Sequence, residues 1–303
     1  MKPRNLLLIV LFFLPSFLYG QIRNNLSGQT DTVPILSVTN LRPSLLQKKK
    51  WMIELDTRFP RFYRVYNATT GSMEKLSDKV VMNEAYFNFY IHYGLSNKIN
   101  VSLTLPLADI HHYSPMGLVS GKGLGDILAG IVYGFVTVDS SRTSLTAGLD
   151  IGFPTGKNYN PGATEYPLGY GAFLFRANIT GLYRLPSSSL VYSVFYEYRT
   201  ENPSGANIGD ELGAYLLMQK LFHTDYGNFG FEYGIDFYQK MSNTMNGAAI
   251  RNSADQAASL FIGGKYGYGQ RLYILAGLPY TLYQNKAFIT KYTVLLQIDY
   301  LLK

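Results

Sequence analysis

The chain has 303 residues, with 27 Lys and Arg against 20 Asp and Glu, no cysteine, and a mean hydropathy of −0.01. The lack of cysteine excludes a disulfide framework, a thiolate metal site and a lipid-modified N-terminal cysteine. The formal net charge of +7 comes with only one basic cluster beyond the N-terminus, Lys48 to Lys50, too short to line a nucleic-acid groove, so no nucleic-acid partner is expected.

Lys2 and Arg4 precede an unbroken apolar run from Leu6 to Leu14 that Pro15 closes, the layout of a cleavable secretory signal peptide. The run is too short for a membrane helix, which needs about 20 apolar residues. Gly20 places cleavage before Gln21, so residues 1–20 read as the signal peptide. Residues 21–50 are polar, carry Pro34 and Pro43, and read as a periplasmic lead segment, with a plug domain as the alternative.

From Trp51 onward the sequence repeats with period two. Phe87, Phe89 and Ile91 alternate with Tyr86, Asn88, Tyr90 and His92. Leu103, Leu105 and Leu107 alternate with Ser102, Thr104 and Pro106. Leu149, Ile151 and Phe153 oppose Gly148, Asp150 and Gly152, and Phe229, Phe231 and Tyr233 oppose Gly230, Glu232 and Gly234. These runs last about 10 to 14 residues, longer than the soluble average of about 5 to 6 and long enough to cross a bilayer at a tilt. The 26 Tyr, 18 Phe and 29 Gly fit a membrane barrel, which concentrates aromatics in two interfacial girdles.

Short turns are expected at Gly94 to Lys98, Asp139 to Arg142, Arg184 to Ser189, His223 to Asn228 and Tyr268 to Gln270. Longer polar loops are expected near Phe59 to Lys79, Ala108 to Gly123, Pro154 to Pro167, Thr200 to Gly209 and Lys240 to Asp255. The expected fold is therefore all-β: an antiparallel up-and-down membrane barrel of about twelve strands over residues 51–303, with both termini in the periplasm. Parity then nominates a lumen-facing set: Glu54, Glu84, Asn88, His92, Thr104, Asp126, Asp150, Arg176, Asn178, Glu197, Arg199, Glu211, Glu232, Asp236, Lys265, Lys291 and Asp299.

The remaining motifs are weak. Gly121, Gly123 and Gly125 lack the βαβ context of a nucleotide loop, and Gly156 with Lys157 lacks Walker spacing. His111 and His112 are adjacent in an expected loop without supporting carboxylates at ligand spacing, so neither a metal nor a cofactor is expected. His112 and Ser114 reproduce the His-x-Ser spacing of outer-membrane phospholipase A, with Asp126 as a third group. Strand parity opposes that reading, and no enzyme activity is expected.

The segment YGLSNKINVSLTLP at Tyr93 to Pro106, GLGDILAGIVYGF at Gly123 to Phe135, and FPTG at Phe153 to Gly156 resemble the signature blocks of the outer-membrane family associated with the meta-pathway of phenol degradation. Members of that family carry a "YGLTDRLEL…LP" hairpin, then "GLGD" opening a strand, then a strand ending in "PTG". The resemblance covers roughly residues 80 to 303, with departures in the long first loop and in the non-aromatic end at Leu301, Leu302 and Lys303. It implies passage or binding of small, often hydrophobic or aromatic solutes by a transporter-like barrel. The expected partners are outer-membrane lipids and lipopolysaccharide, the barrel assembly machinery and a small-molecule solute. A closed barrel that binds through its surface loops is the alternative. N-terminal sequencing of an outer-membrane fraction is expected to read from about Gln21; a chain beginning at Met1 would refute cleavage.

Overall fold

The computed structural model describes residues 45–67, 72–75, 81–114, 117–136, 142–156, 166–185, 188–224, 227–250, 254–268, 271–284 and 288–302, with backbone alone at 63–67, 72–74, 114, 117, 221, 223–224, 227 and 288–291. The expected signal peptide and most of the lead segment lie outside these residues, as does most of the turn at Asp139 to Arg142. Among the described residues no helix is long and apolar enough to cross a membrane. Crossing is done by strands.

Twelve long strands make the wall: β1 (Trp51–Asn67), β2 (Val81–Gly94), β3 (Ile99–Ser114), β4 (Ile127–Val136), β5 (Thr143–Phe153), β6 (Leu174–Arg184), β7 (Ser189–Arg199), β8 (Glu211–Thr224), β9 (Gly227–Lys240), β10 (Asp255–Tyr268), β11 (Leu272–Gln284) and β12 (Phe288–Leu302). Each pairs antiparallel with the next, and β12 closes on β1 from Trp51 with Leu302 to Val65 with Phe288. Closure matters because an open sheet edge in hydrocarbon would leave backbone N–H and C=O groups without partners. The described ends of the chain, Trp51 and Leu302 of the wall, lie at one rim with the turn from Gly94 to Ile99.

Successive side chains point to opposite faces, and exposure follows that alternation. Val194 is 54% exposed beside Ser193 at 1%, and Phe231 is 61% exposed beside Glu232 at 3%. Two aromatic girdles frame the apolar band. At the rim of the chain ends, Trp51 packs on Tyr93 (4.4 Å between ring centres) and Phe229 on Tyr266 (4.9 Å). Towards the opposite rim, Phe59 meets Phe87 and Phe153 meets Phe173, both at 6.2 Å. Such girdles sit at the two membrane interfaces, where rings tolerate a half-polar setting.

The long connections hold more order than the sequence suggests. β1 and β3 run on through the expected loops at Phe59 to Lys79 and Ala108 to Gly123, and short strands at Ser72–Lys75 and Gly117–Leu124 pair back onto them. Residues 166–172 fold inward at the same rim: Tyr166 (1% exposed) and Leu168 pack on inward-facing Tyr86 and Ile110, and the Tyr166 amide donates to the Ser120 carbonyl at 2.7 Å. At the opposite rim Lys49, with φ of 65°, donates its amide to the Gly94 carbonyl at 2.7 Å. With its amide oriented to pair, Asn100 accepts from the Leu46 N–H at 2.8 Å. Both ends of the interior are thus partly covered by ordered chain.

Leu103, 37% exposed near the middle of β3, faces the apolar band. Leu103→Arg is expected to cost about 2 to 4 kcal/mol, visible as a lower urea midpoint in vesicles. An unchanged midpoint would invert the assigned parity.

Candidate permeation lumen

The inward face is polar and charged, and the strand register organises it. Asp150 lies opposite Arg176, Arg176 opposite Glu197, Glu197 opposite Glu211, Glu211 opposite Lys240, and Lys240 opposite Asp255. One lateral row therefore carries six charges across β5 to β10. Two facing carboxylates repel, so Glu197 and Glu211 persist here because cations clasp them. Arg176 donates to Glu197 through Nε (2.9 Å) and Nη2 (2.6 Å). Arg199 binds the other Glu197 oxygen, reaches Glu211 Oε2 at 3.3 Å and donates to the Gly209 carbonyl at 3.2 Å. Its guanidinium also lies over the Tyr170 ring at 4.8 Å. Asn178, 8% exposed, lies one inward position from Arg176 and fills the space above Gly148.

Traced the other way, the row passes from Asp150 to Gly130, Ser102 and then His92. Glycine and serine leave it without bulk. The Asp150 carboxylate and the Ser102 hydroxyl lean over Gly130, where even a methyl group would collide with them. Ser102, Thr104, Pro106 and Ala108 stay half-buried along β3, between covered Asn100 (6%) and Ile110 (0%). Asn88 lies opposite Pro106 and is also half-buried.

The remaining nominated residues form smaller clusters. Arg58 donates to Asp56 (Nε to Oδ1, 3.0 Å), and fully buried Glu54 lies 3.8 Å from His92 Nε2. Glu232 accepts from Gln219 at 3.0 Å and from Lys265 at 3.3 Å. Asp236 is buried and hydrogen-bonds Ser259. Asp299, 8% exposed, lies beside Gln297. Glu84 accepts from Tyr86 and from His112, the latter at 2.7 Å. The Lys291 side chain lies outside the described residues.

Asp126 differs from its expected place in a strand. It precedes β4, and its oxygens accept the Gly156 amide (2.9 Å) and the Tyr170 amide (2.6 Å), tying two loop segments together. Burial holds its carboxyl above the usual carboxylate range despite these donors. Its role is to position loops. His112 is oriented by Glu84, so the pairing with Asp126 that the His-x-Ser spacing would need is not made; the Ser114 side chain lies outside the described residues. His111 and His112 are strand neighbours on opposite faces, with His111 bound to Asp109 at 2.9 Å, so they cannot chelate one ion together. Sequence reading missed Asp56, Arg58, Lys240 and Asp255, which sit at inward positions of their strands. The parity rule reaches all four.

A closed wall of twelve antiparallel strands, apolar and girdled outside, polar and charged inside, defines an outer-membrane β-barrel. Residues 66–285 match the model of the family described as "Putative MetA-pathway of phenol degradation", and the chain belongs to that family. Among solved structures, an outer membrane channel from Pseudomonas putida F1 superposes with a TM-score of 0.71 at 14% identity, covering 86% of this chain and 97% of that one. The translocator domain of the autotransporter NalP from Neisseria meningitidis gives 0.47 at 11% identity, covering 84% and 89%. The CymD monoaromatic hydrocarbon channel gives 0.39 at 8% identity, covering 84% and 88%. The first likeness establishes the fold; the other two are too loose to carry an argument. No curated protein sequence matches the chain.

Glu197→Leu is expected to lower the unfolding free energy by about 3 to 5 kcal/mol, because it leaves two buried guanidinium groups without their shared anion. Glu211→Gln, which relieves a carboxylate pair, should cost far less. Urea titration in detergent micelles compares the two, and equal costs would refute the clasp.

Proposed function

We propose that this barrel is a passive outer-membrane channel for small solutes, its path running along the β3 and β4 wall. The observation that carries the reading is the gap in the charged row: six charges in register from β5 to β10, then Gly130 and Ser102, beside a half-buried strip from Ser102 to Ala108. Asp150 and His92 flank the gap and set its polarity.

Among the described inward side chains, Glu54, Asp56, Glu84, Asp150, Glu197, Glu211, Glu232, Asp236, Asp255 and Asp299 outnumber Arg58, Arg176, Arg199, Lys240 and Lys265 by ten to five. The interior is therefore acidic although the chain as a whole is basic, which favours cations over anions. In the same reading the apolar band contacts outer-membrane lipids and lipopolysaccharide, and the barrel assembly machinery inserts the chain. One observation favours a closed, loop-displaying barrel instead: at the rim opposite Trp51, Asn202, Ala206, Ile208 and Asn243 are buried in and next to a small three-stranded sheet.

Purified protein in planar bilayers should show cation-selective conductance. Thr104→Arg should still assemble, lower the conductance and shift it towards anions. Neither ion current nor solute flux from liposomes would refute the channel and leave the closed barrel.

A further inference from the structure

Of the carboxylates in the charged row, Asp150 is the one left unclasped. Arg176, its register partner on β6, turns away and gives both Nε (2.9 Å) and Nη2 (2.6 Å) to Glu197. Glu211 has Arg199, and Lys240 stands between Glu211 and Asp255. Asp150 makes no hydrogen bond and no ion pair with any described residue. It is partly exposed, whereas Glu197, Glu211 and Asp255 are buried, so it is the carboxylate of the row that meets the lumen.

The Asp150 carboxylate leans instead across β4. Its Oδ1 lies 2.1 Å, and Ser102 Oγ 2.6 Å, from the point where a Cβ on Gly130 would stand. Two oxygens from the strands on either side of β4 thus converge above a residue that has no side chain to keep them apart. They are not hydrogen-bonded to each other, and the Ser102 hydroxyl has no other partner among the described residues. Beyond Ser102 stands His92, itself 3.8 Å from Glu54. Along β4 the inward positions on either side of Gly130 are Leu128 and Val132, both partly exposed. The two oxygens therefore lie between two apolar side chains.

Two converging oxygens with one negative charge suit a cation that brings its own N–H donors. A hard metal ion takes about six oxygens, and among the described residues no group of three acidic or histidine side chains is placed to hold one. A primary ammonium carries three N–H groups in a tetrahedral fan. Two of them can reach Oδ1 and Oγ, and the third is left to water in the lumen. Leu128 and Val132 then border the carbon body. We propose that Asp150 and Ser102, above Gly130, form a binding station for short primary amines, aliphatic or aromatic, on the axial path. This deepens the channel reading and rests on it: the excess of carboxylates draws cations in, and the station selects those with N–H donors and an apolar body.

Purified protein in planar bilayers carries a potassium current, to which benzylammonium is added and compared with benzyltrimethylammonium, a cation of the same charge and ring but without N–H donors. Block is read as the ratio of currents with and without the added cation, so it does not depend on the absolute conductance of a variant. Benzylammonium should block the native channel at least about tenfold more tightly than its trimethyl counterpart, the scale of one hydrogen bond to a charged group. Asp150→Asn should abolish that preference. Ser102→Ala, which keeps the charge, should weaken it and decides the matter if Asp150→Asn fails to assemble. Equal block by the two cations in native protein, or a preference that survives either substitution unchanged, overturns the station and leaves the channel standing. Absence of current in native protein overturns the channel reading itself. Calorimetric titration of benzylammonium into the protein in micelles then judges the station alone: binding heat lost in Asp150→Asn supports it, and no heat in native protein or equal heats in both overturns it.

Discussion

A backbone that enters hydrocarbon leaves behind the water that would satisfy its N–H and C=O groups, and every other feature of this molecule follows from meeting that loss. Pairing each strand with two neighbours answers it, and closing β12 on β1 removes the last edge. Closure fixes which face each residue takes. Outward positions must be apolar, so Leu149, Phe231 and Ile262 stand in the band; inward positions have no such demand and collect the charges. The contrast between an acidic interior and a basic chain is a product of that sorting.

Within the interior, register does what parity cannot. A single lateral row brings together residues as distant in sequence as Asp150 and Asp255, and its sign pattern is stable only as a group. Glu197 and Glu211 would repel if alone; Arg176, Arg199 and Lys240 surround them. Large side chains crowd the walls from β6 to β12, where the Phe195 and Phe261 rings lie across Gly213 and Gly277. The small residues Ser102, Gly130 and Ala108 stand on the opposite wall. Small side chains and charge are thereby placed side by side.

The all-β class and the strand count were legible because alternation over ten or more positions leaves little choice. The partners were not. That His112 would meet Glu84 requires the β2 to β3 register, and that Asp126 would hold two loop amides requires the path of residues 156–170. A period-two pattern carries no information on either. Stretches expected to be loops became strand because their polar residues lie beyond the apolar band, where a ladder can continue in water.

The closing pair joins the two ends of the barrel sequence: the Thr57 hydroxyl reaches the Leu296 carbonyl 239 residues away. No part of the wall between them is complete until that contact forms, so the last strand to be synthesised is needed to satisfy the first. Contacts of such separation form slowly, because a long loop must be immobilised before any reward arrives. Until then β1 and β12 each present an unpaired edge able to recruit a strand from another chain. The slowest step of assembly therefore coincides with the greatest aggregation hazard.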